Sequence, residues 1–266
     1  MFIEKDGSMQ ALLATTIFGE PLWLAMAVVG IIGLAAFLQS LVGFGFALLA
    51  VPLLVLVIPP KTAVVVVFLL GAIASLLTVR SARGSIDGAE ARRLSIGAVL
   101  AMPLGVVLLL NASSLVLRLI LGVLTIAAAM WMLLASDEEK PVGPPRPFVA
   151  YGTGAISGVL NTSLSTNGPP LVVYLRTRGL DQATFRSTIS VVFSISNAVG
   201  LTMLAAGGAI HRDAVRLAVL AIPLDLIGWV LGNAAAKRLA AHHFDRVVDG
   251  CLLVSGVVVL AKALAG

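Results

Sequence analysis

Six uncharged hydrogen-bonding side chains crowd into seven residues, Asn161-Thr162-Ser163-Leu164-Ser165-Thr166-Asn167, with Gly168-Pro169-Pro170 directly behind them. Amides and hydroxyls of this kind do not cleave bonds by themselves, but they bind. A helix starting near Gly168 would aim free N–H groups and a positive dipole end at an anion, and proline suits its first turn. A poorer counterpart lies in the first half: Gln39 and Ser40 precede Gly43 and Gly45, and Phe46 opens the next helix. The glycines there let the chain turn and a ligand approach the backbone. The competing reading is plainer, because Ser, Thr and Asn also hydrogen-bond membrane helices together.

Fewer candidates lie beyond the two breaks. Ser190, Ser194 and Asn197 share one helical face, and Arg186 stands one turn ahead of them. Arg186 either reaches an anionic substrate or snorkels to the interface. Asp225 follows Pro223 in an apolar stretch, and an ionisable residue in lipid is a functional candidate by default. It would carry a coupling proton, pair with an arginine, or cap irregular backbone beside the proline. Asp249 lies three residues from Arg246, the spacing of a local ion pair. Cys251 is a lone cysteine in an apolar segment, read as a small packed hydrophobe. The spacing of the three histidines proposes no metal site, and no nucleophile elbow or phosphate-binding loop occurs. Neither an enzyme nor a cofactor is expected.

The elements that hold these groups must cross a bilayer. The 266 residues are 59% hydrophobic and 12% charged, with a mean hydropathy of +1.06, against about a quarter charged in soluble domains. The net charge of +5 comes without a basic tract and with 6% aromatics, which argues against nucleic acid as a partner. Cytosolic Lys and Arg account for it.

Charges and turn residues bound six apolar spans at 62–79, 91–110, 114–134, 184–206, 214–233 and 244–264. An uncharged, interrupted segment precedes the first and the fourth of them. The chain therefore divides into an N-terminal segment (1–21), a first transmembrane repeat (22–135), a charged, proline-rich cytosolic linker (136–147) and a second transmembrane repeat (148–266). Residues 8–19 are expected to form a short surface helix. Shared features support duplication: Pro103 with Pro223, Arg93-Leu94 with Arg216-Leu217, and Arg118 and Gly122 with Arg246 and Gly250. Irregular backbone at membrane depth must line a protected cavity, and paired breaks in two halves point to a transporter's binding site.

The run from Pro21 to Pro60 spans 40 uncharged residues, which as one helix would measure about 60 Å, twice the hydrocarbon thickness. It is therefore expected to enter and turn back near Gly43–Gly45. If both interrupted segments are such hairpins, 12 of the 18 Lys and Arg fall on one side. Single crossings would divide them ten to eight. The positive-inside rule favours the hairpins, which put both termini outside, the linker in the cytosol and the halves inverted.

The chain resembles the TauE/SafE (TSUP) family of sulfite and organosulfonate exporters over about residues 22–264. The likeness rests on Gln39 through Pro52, on Gly154 through Leu160 together with Gly168-Pro169-Pro170-Leu171, and on Pro103 and Pro223. The family usually has a glycine run in each repeat; the second repeat here has Asn167-Gly168-Pro169 instead. The resemblance implies transport of a small, often sulfur-containing anion such as sulfite or sulfoacetate.

The expectation is then an all-α integral membrane protein of the cell (inner) membrane with two inverted repeats, each an interrupted segment plus three transmembrane helices. It would act as a secondary transporter that exports a small anion by alternating access, with a proton as the possible coupling ion. The anion would be held by Gln39, Ser40, Gly43, Gly45, Asn161, Thr162, Ser163, Ser165, Thr166, Asn167, Gly168, Arg186, Ser194 and Asn197. An anion channel and a membrane subunit of a larger complex are the alternatives.

Overall fold

The computed structural model describes residues 16–17, 20–42, 45–81, 85–134, 146–236 and 242–264. Ten helices occur among them: α1 (Leu22–Val42), α2 (Phe46–Leu54), α3 (Pro60–Ser81), α4 (Gly88–Asn111), α5 (Ser114–Leu134), α6 (Pro147–Leu164), α7 (Gly168–Arg176), α8 (Gln182–Ala206), α9 (Arg212–Ala236) and α10 (His242–Leu264). All six expected spans fall inside helices. Where a surface helix was expected, Thr16–Ile17 instead pairs antiparallel with Glu20–Pro21 as a minimal ribbon, which corrects that part of the reading. The rest of 8–19, most of the linker, Gly43 and the side chains of Arg246, Asp249 and Cys251 lie outside the described residues.

Capping residues start the helices where the sequence permits. Asp87 accepts the Glu90 amide at 3.0 Å, and Asp181 accepts those of Ala183 and Thr184. Each satisfies donors that the first turn leaves without an intrahelical partner. Pro147 opens α6, where its missing N–H costs nothing.

Lipid tails are as apolar as leucine, so helices in a membrane associate through close packing and hydrogen bonds. Glycine provides the closeness. A β-carbon on Gly158 would sit 2.1 Å from the Ala98 carbonyl oxygen, and one on Gly154 2.2 Å from that of Leu94. Farther along, Gly105 presses on Val159 and Thr162. Residue numbers rise together along both helices, so α4 and α6 run parallel. Gly33 against Leu224, Gly228 against Ala36 and Gly232 against Phe37 make α1 and α9 parallel by the same logic. Two other pairs are antiparallel. Gly122 meets Leu260 while Gly256 meets Ile126, joining α5 to α10. Ser194 bonds the Ser75 carbonyl, Asn197 the Gly71 carbonyl, and Gly200 abuts Phe68, joining α3 to α8.

The helix ends sort onto two rims. At the first, Lys61 donates to the Leu110 carbonyl, Lys262 to that of Leu56, and Thr62 meets His211. At the second, the Asp87 amide donates to Thr188, the Tyr174 hydroxyl to Glu90, and Arg176 lies over the Trp131 ring. The start of α1 shares the first rim with the start of α9, and α2 ends there at Leu56, so the first segment comes back to the rim it left. The start of α6 shares the second rim with the start of α4, and α7 ends there at Tyr174 and Arg176. Both interrupted segments are therefore hairpins, entering from opposite rims. Elsewhere the outward side chains are apolar: Leu100 is 75% exposed and Val257 55%, and five of the described helices are long and apolar enough to cross a membrane.

Candidate functional site

The second hairpin turns later than its polar string suggests. Asn161, Thr162 and Ser163 remain helical, because hydroxyls of this kind can bond back to the preceding turn. Ser163 donates to Val159 and Thr162 to Gly158. The helix stops at Ser165, whose φ of 58° is left-handed. The Thr166 amide then bonds the Leu160 carbonyl, and the Ser157 hydroxyl bonds that of Asn167 at 2.9 Å. In the first hairpin Gly45, with φ 97°, leads into α2.

The two turns face a shared cavity of about 90 Å³, room for roughly six water-sized spheres. Its walls come from the tips of both hairpins and from the middles of α3 and α8, the antiparallel pair between them. Phe46, Val67, Ile189 and Phe193 are among its apolar lining residues. The polar side chains on it are Gln39, Ser75, Ser165, Thr166, Asn167, Ser190 and Asn197. Among the described residues, no charged side chain lines it, and residues 41–44 of the first tip read Leu-Val-Gly-Phe.

Their hydrogen bonds divide these polar groups in two. Ser75 donates to Ala72, Thr166 to Leu164 and Ser190 to Arg186. Asn197 spends its amide on Gly71 and on the Ser75 hydroxyl, both at 3.2 Å. Those four are committed to the walls themselves, and Asn197 ties α8 to α3. Gln39 and Ser165 make no side-chain hydrogen bond among the described residues. Ser165 is 7% exposed, and the Asn167 amide nitrogen is buried without a partner. A buried donor left unmade is costly, at about 1–3 kcal/mol, so the amide of Asn167, a residue that lines the cavity, calls for an acceptor.

Backbone groups add to them. By helix geometry the amides of Phe46, Ala47 and Leu48 have no partner within α2, and all three residues line the cavity. The start of α7 is poorer in donors, since Pro169 and Pro170 have no N–H and Gly168 alone offers one.

Of the residues singled out from sequence, Gln39, Gly45, Ser165, Thr166, Asn167, Gly168, Ser190 and Asn197 come together at the cavity. The other described ones lie off it. Ser40 bonds Ala36 where Gly232 packs, Thr162 bonds the Met102 carbonyl across the α4–α6 seam, and Ser163 bonds within its own helix. Asn161 is buried outside the lining with an unpartnered amide. Ser194 ties α8 to α3, and Arg186 is exposed at the start of α8. Asp225 is 5% exposed in α9, on the bundle-facing stripe with Ala218, Ala221 and Gly228. Sequence reasoning missed Ser75. Its signal was a hydroxyl interrupting the apolar middle of a span.

Fold and site thus define a multi-pass membrane protein with a small cavity of mixed polar and apolar lining between two hairpin tips. The chain matches the sulfite exporter TauE/SafE family over residues 27–259 and belongs to it. It is 27% identical over 128 residues to the "Probable inner membrane transporter protein TsaS" of Comamonas testosteroni, an alignment covering 48% of this chain and 53% of that protein. It is 23% identical over 240 residues to the "Probable sulfite/organosulfonate exporter TauE" of Cupriavidus necator, covering 88% of this chain and 93% of that one. No solved structure matches it significantly.

Proposed function

We propose that this protein exports a small sulfur oxyanion, sulfite or an organosulfonate, across the inner membrane by alternating access, with the anion held between the hairpin tips. The observation that carries this reading is the convergence of the two half-helix starts with the free donors of Gln39, Ser165 and Asn167 on one cavity. The antiparallel pairing of α3 with α8 and of α5 with α10 supports inverted halves, because a two-fold axis in the membrane plane reverses each helix onto its counterpart. Such halves rock about a shared site. The second rim, which carries Arg93, Arg176, Arg178 and Arg186, faces the cytosol in this arrangement, and an inside-negative potential favours anion exit.

Counterflow of labelled sulfite and sulfoacetate in proteoliposomes tests the reading. Saturable exchange is expected, weakened about tenfold or more in Asn167→Ala with the fold intact, as expected for a lost charge-assisted hydrogen bond. Exchange unaffected by that change would move the site elsewhere, and unitary currents would make the protein a channel.

Asp225 is the group best placed to carry a coupling proton. It has no hydrogen-bond or ion-pair partner among the described residues. Against it pack α1, which holds no ionisable residue, and α3, whose cations are Lys61 at the first rim and Arg80 near the opposite end. Asp225→Asn should keep counterflow but abolish accumulation driven by a pH gradient; retained accumulation would exclude the role.

A further inference from the structure

Two unequal apolar plugs separate the cavity from the two rims. The buried apolar side chains of the described residues fall into two clusters, and each reaches the lining. The larger contributes Phe46, Leu48 and Val67 to the cavity and runs to the first rim through Leu54, Leu109 and Ala209. The smaller contributes Ile189 and Phe193 and runs to the second rim through Leu171, Leu175 and Tyr174. The half-helices inside them differ in the same sense. In α2 seven of the nine residues are buried, and it packs against α1, α3, α5 and α10. In α7 four of the nine are buried, and it rests mainly on α6 and α8. Side chains join α7 to the other helices at that rim, Tyr174 to Glu90 of α4 at 2.6 Å and Arg176 over the Trp131 ring of α5. The frame around α7 holds without it, because the Asp87 amide donates to Thr188 and so ties the start of α4 to α8.

Resting on the function proposed above, we infer that α7 is the gate by which the cavity opens to the cytosolic rim, with the Tyr174–Glu90 hydrogen bond as its latch. Withdrawing α7 breaks that bond and uncovers Leu171, Val172 and Leu175; withdrawing α2 would uncover more. The cost of exposure to water scales with apolar area, so this closed conformation opens at the second rim first. The latch acts on the closed form alone. Once α7 has moved, water reaches both Glu90 and the Tyr174 hydroxyl, so deleting that hydroxyl penalises the closed form, leaves the open one as it was, and shifts the population toward opening.

The test places one thiol on the cavity wall. Ser190 lines the cavity and its hydroxyl bonds the Arg186 carbonyl of its own helix, so Ser190→Cys is a nearly isosteric change. Made together with Cys251→Ala, it is the sole cysteine, and it is labelled with a membrane-impermeant maleimide in vesicles of either orientation. Adding Tyr174→Phe should raise the labelling rate about tenfold from the cytosolic face and leave the rate from the opposite face unchanged. Tyr174→Phe with Glu90→Gln, which leaves no buried charge short of a donor, should do the same and serves if the single change does not fold. An unchanged rate, or a rise from the opposite face or from both, would overturn the gate. Sulfoacetate present during labelling separates this from the function on which it rests. Slower labelling is expected when the anion fills the cavity, and labelling indifferent to saturating sulfoacetate would move the anion site elsewhere, whichever face α7 opens.

Discussion

The two hairpin tips do the same geometrical job with opposite chemistry. The first is built of carbon: Phe46, Leu48, Leu49, Val51 and Leu54 are all buried in α2, and its turn is made by Gly45. What it presents to the cavity is Gln39, Phe46 and three amides at a helix start. The second is built of hydrogen bonds, from Ser157 to Asn167, from Thr162 to Met102, and from Tyr174 to Glu90. Its prolines take away backbone donors, and side chains supply them instead through Ser165 and Asn167. In the proposed site the first tip would meet an anion mainly with fixed dipoles and the second mainly with side chains.

The strongest challenge to this equivalence lies in the seams that carry the hairpins. If α4–α6 and α1–α9 are counterparts, Gly158→Val and Gly232→Val should be damaging to a similar degree. In each case the new carbon meets a carbonyl oxygen, at 2.1 Å for Ala98 and 2.4 Å for Phe37. Overpacking against backbone costs about 3 kcal/mol, expected as failed accumulation or sharply lowered thermal unfolding in detergent. Gly30, with nothing within 4 Å, should accept alanine without loss. Tolerance of Gly232→Val beside collapse of Gly158→Val would end the claim that the two seams are alike.

Much of this was legible in the residues, and the part that was not has a physical reason. Uncharged length against bilayer thickness predicted the first hairpin and the Lys and Arg count favoured the second, and the contacts of Leu56 and Tyr174 bring each segment back to the rim it left. The helix spans followed from apolar runs bounded by charge. The site was harder to read, because a membrane serine or asparagine does two jobs with one functional group. Thr162 and Ser163 look as available as Ser165 in the sequence, yet they point back into α6 or across to α4. Only the place where the helix ends decides which hydroxyl is free. Ser75 was hidden for the converse reason: its partner, Asn197, lies 122 residues away, and no local pattern joins them.

A smaller effect probes the hydrogen-bonded hairpin alone. The Tyr174 hydroxyl donates to Glu90 Oε2 at 2.6 Å, and Glu90, 1% exposed, also pairs with Arg93 at 2.8 Å. Tyr174→Phe leaves a buried carboxylate oxygen short of a donor, at a cost of about 1–3 kcal/mol. Tyr174→Phe with Glu90→Gln should show coupling in a double-mutant cycle. No residue of α2 makes a comparable tie, so substitutions there should track lost apolar area only. Absence of coupling between Tyr174 and Glu90 would remove the polar lock from the comparison.

The finest distinction is at the turn residues themselves. Gly45 and Ser165 both have positive φ, at 97° and 58°, but only one is a glycine. Gly45→Ala adds a carbon where nothing lies within 4 Å, so any loss, about 1 kcal/mol, is backbone strain alone. Ser165→Gly does the reverse. It relieves a left-handed serine, so the unfolding temperature should hold or rise slightly, but it deletes a hydroxyl that has no partner other than what occupies the cavity. Stability kept with anion affinity reduced several-fold would separate the turn from the site in a single residue. If affinity were unchanged, Ser165 would be a turn residue only, and the free donors of the second tip would reduce to Asn167.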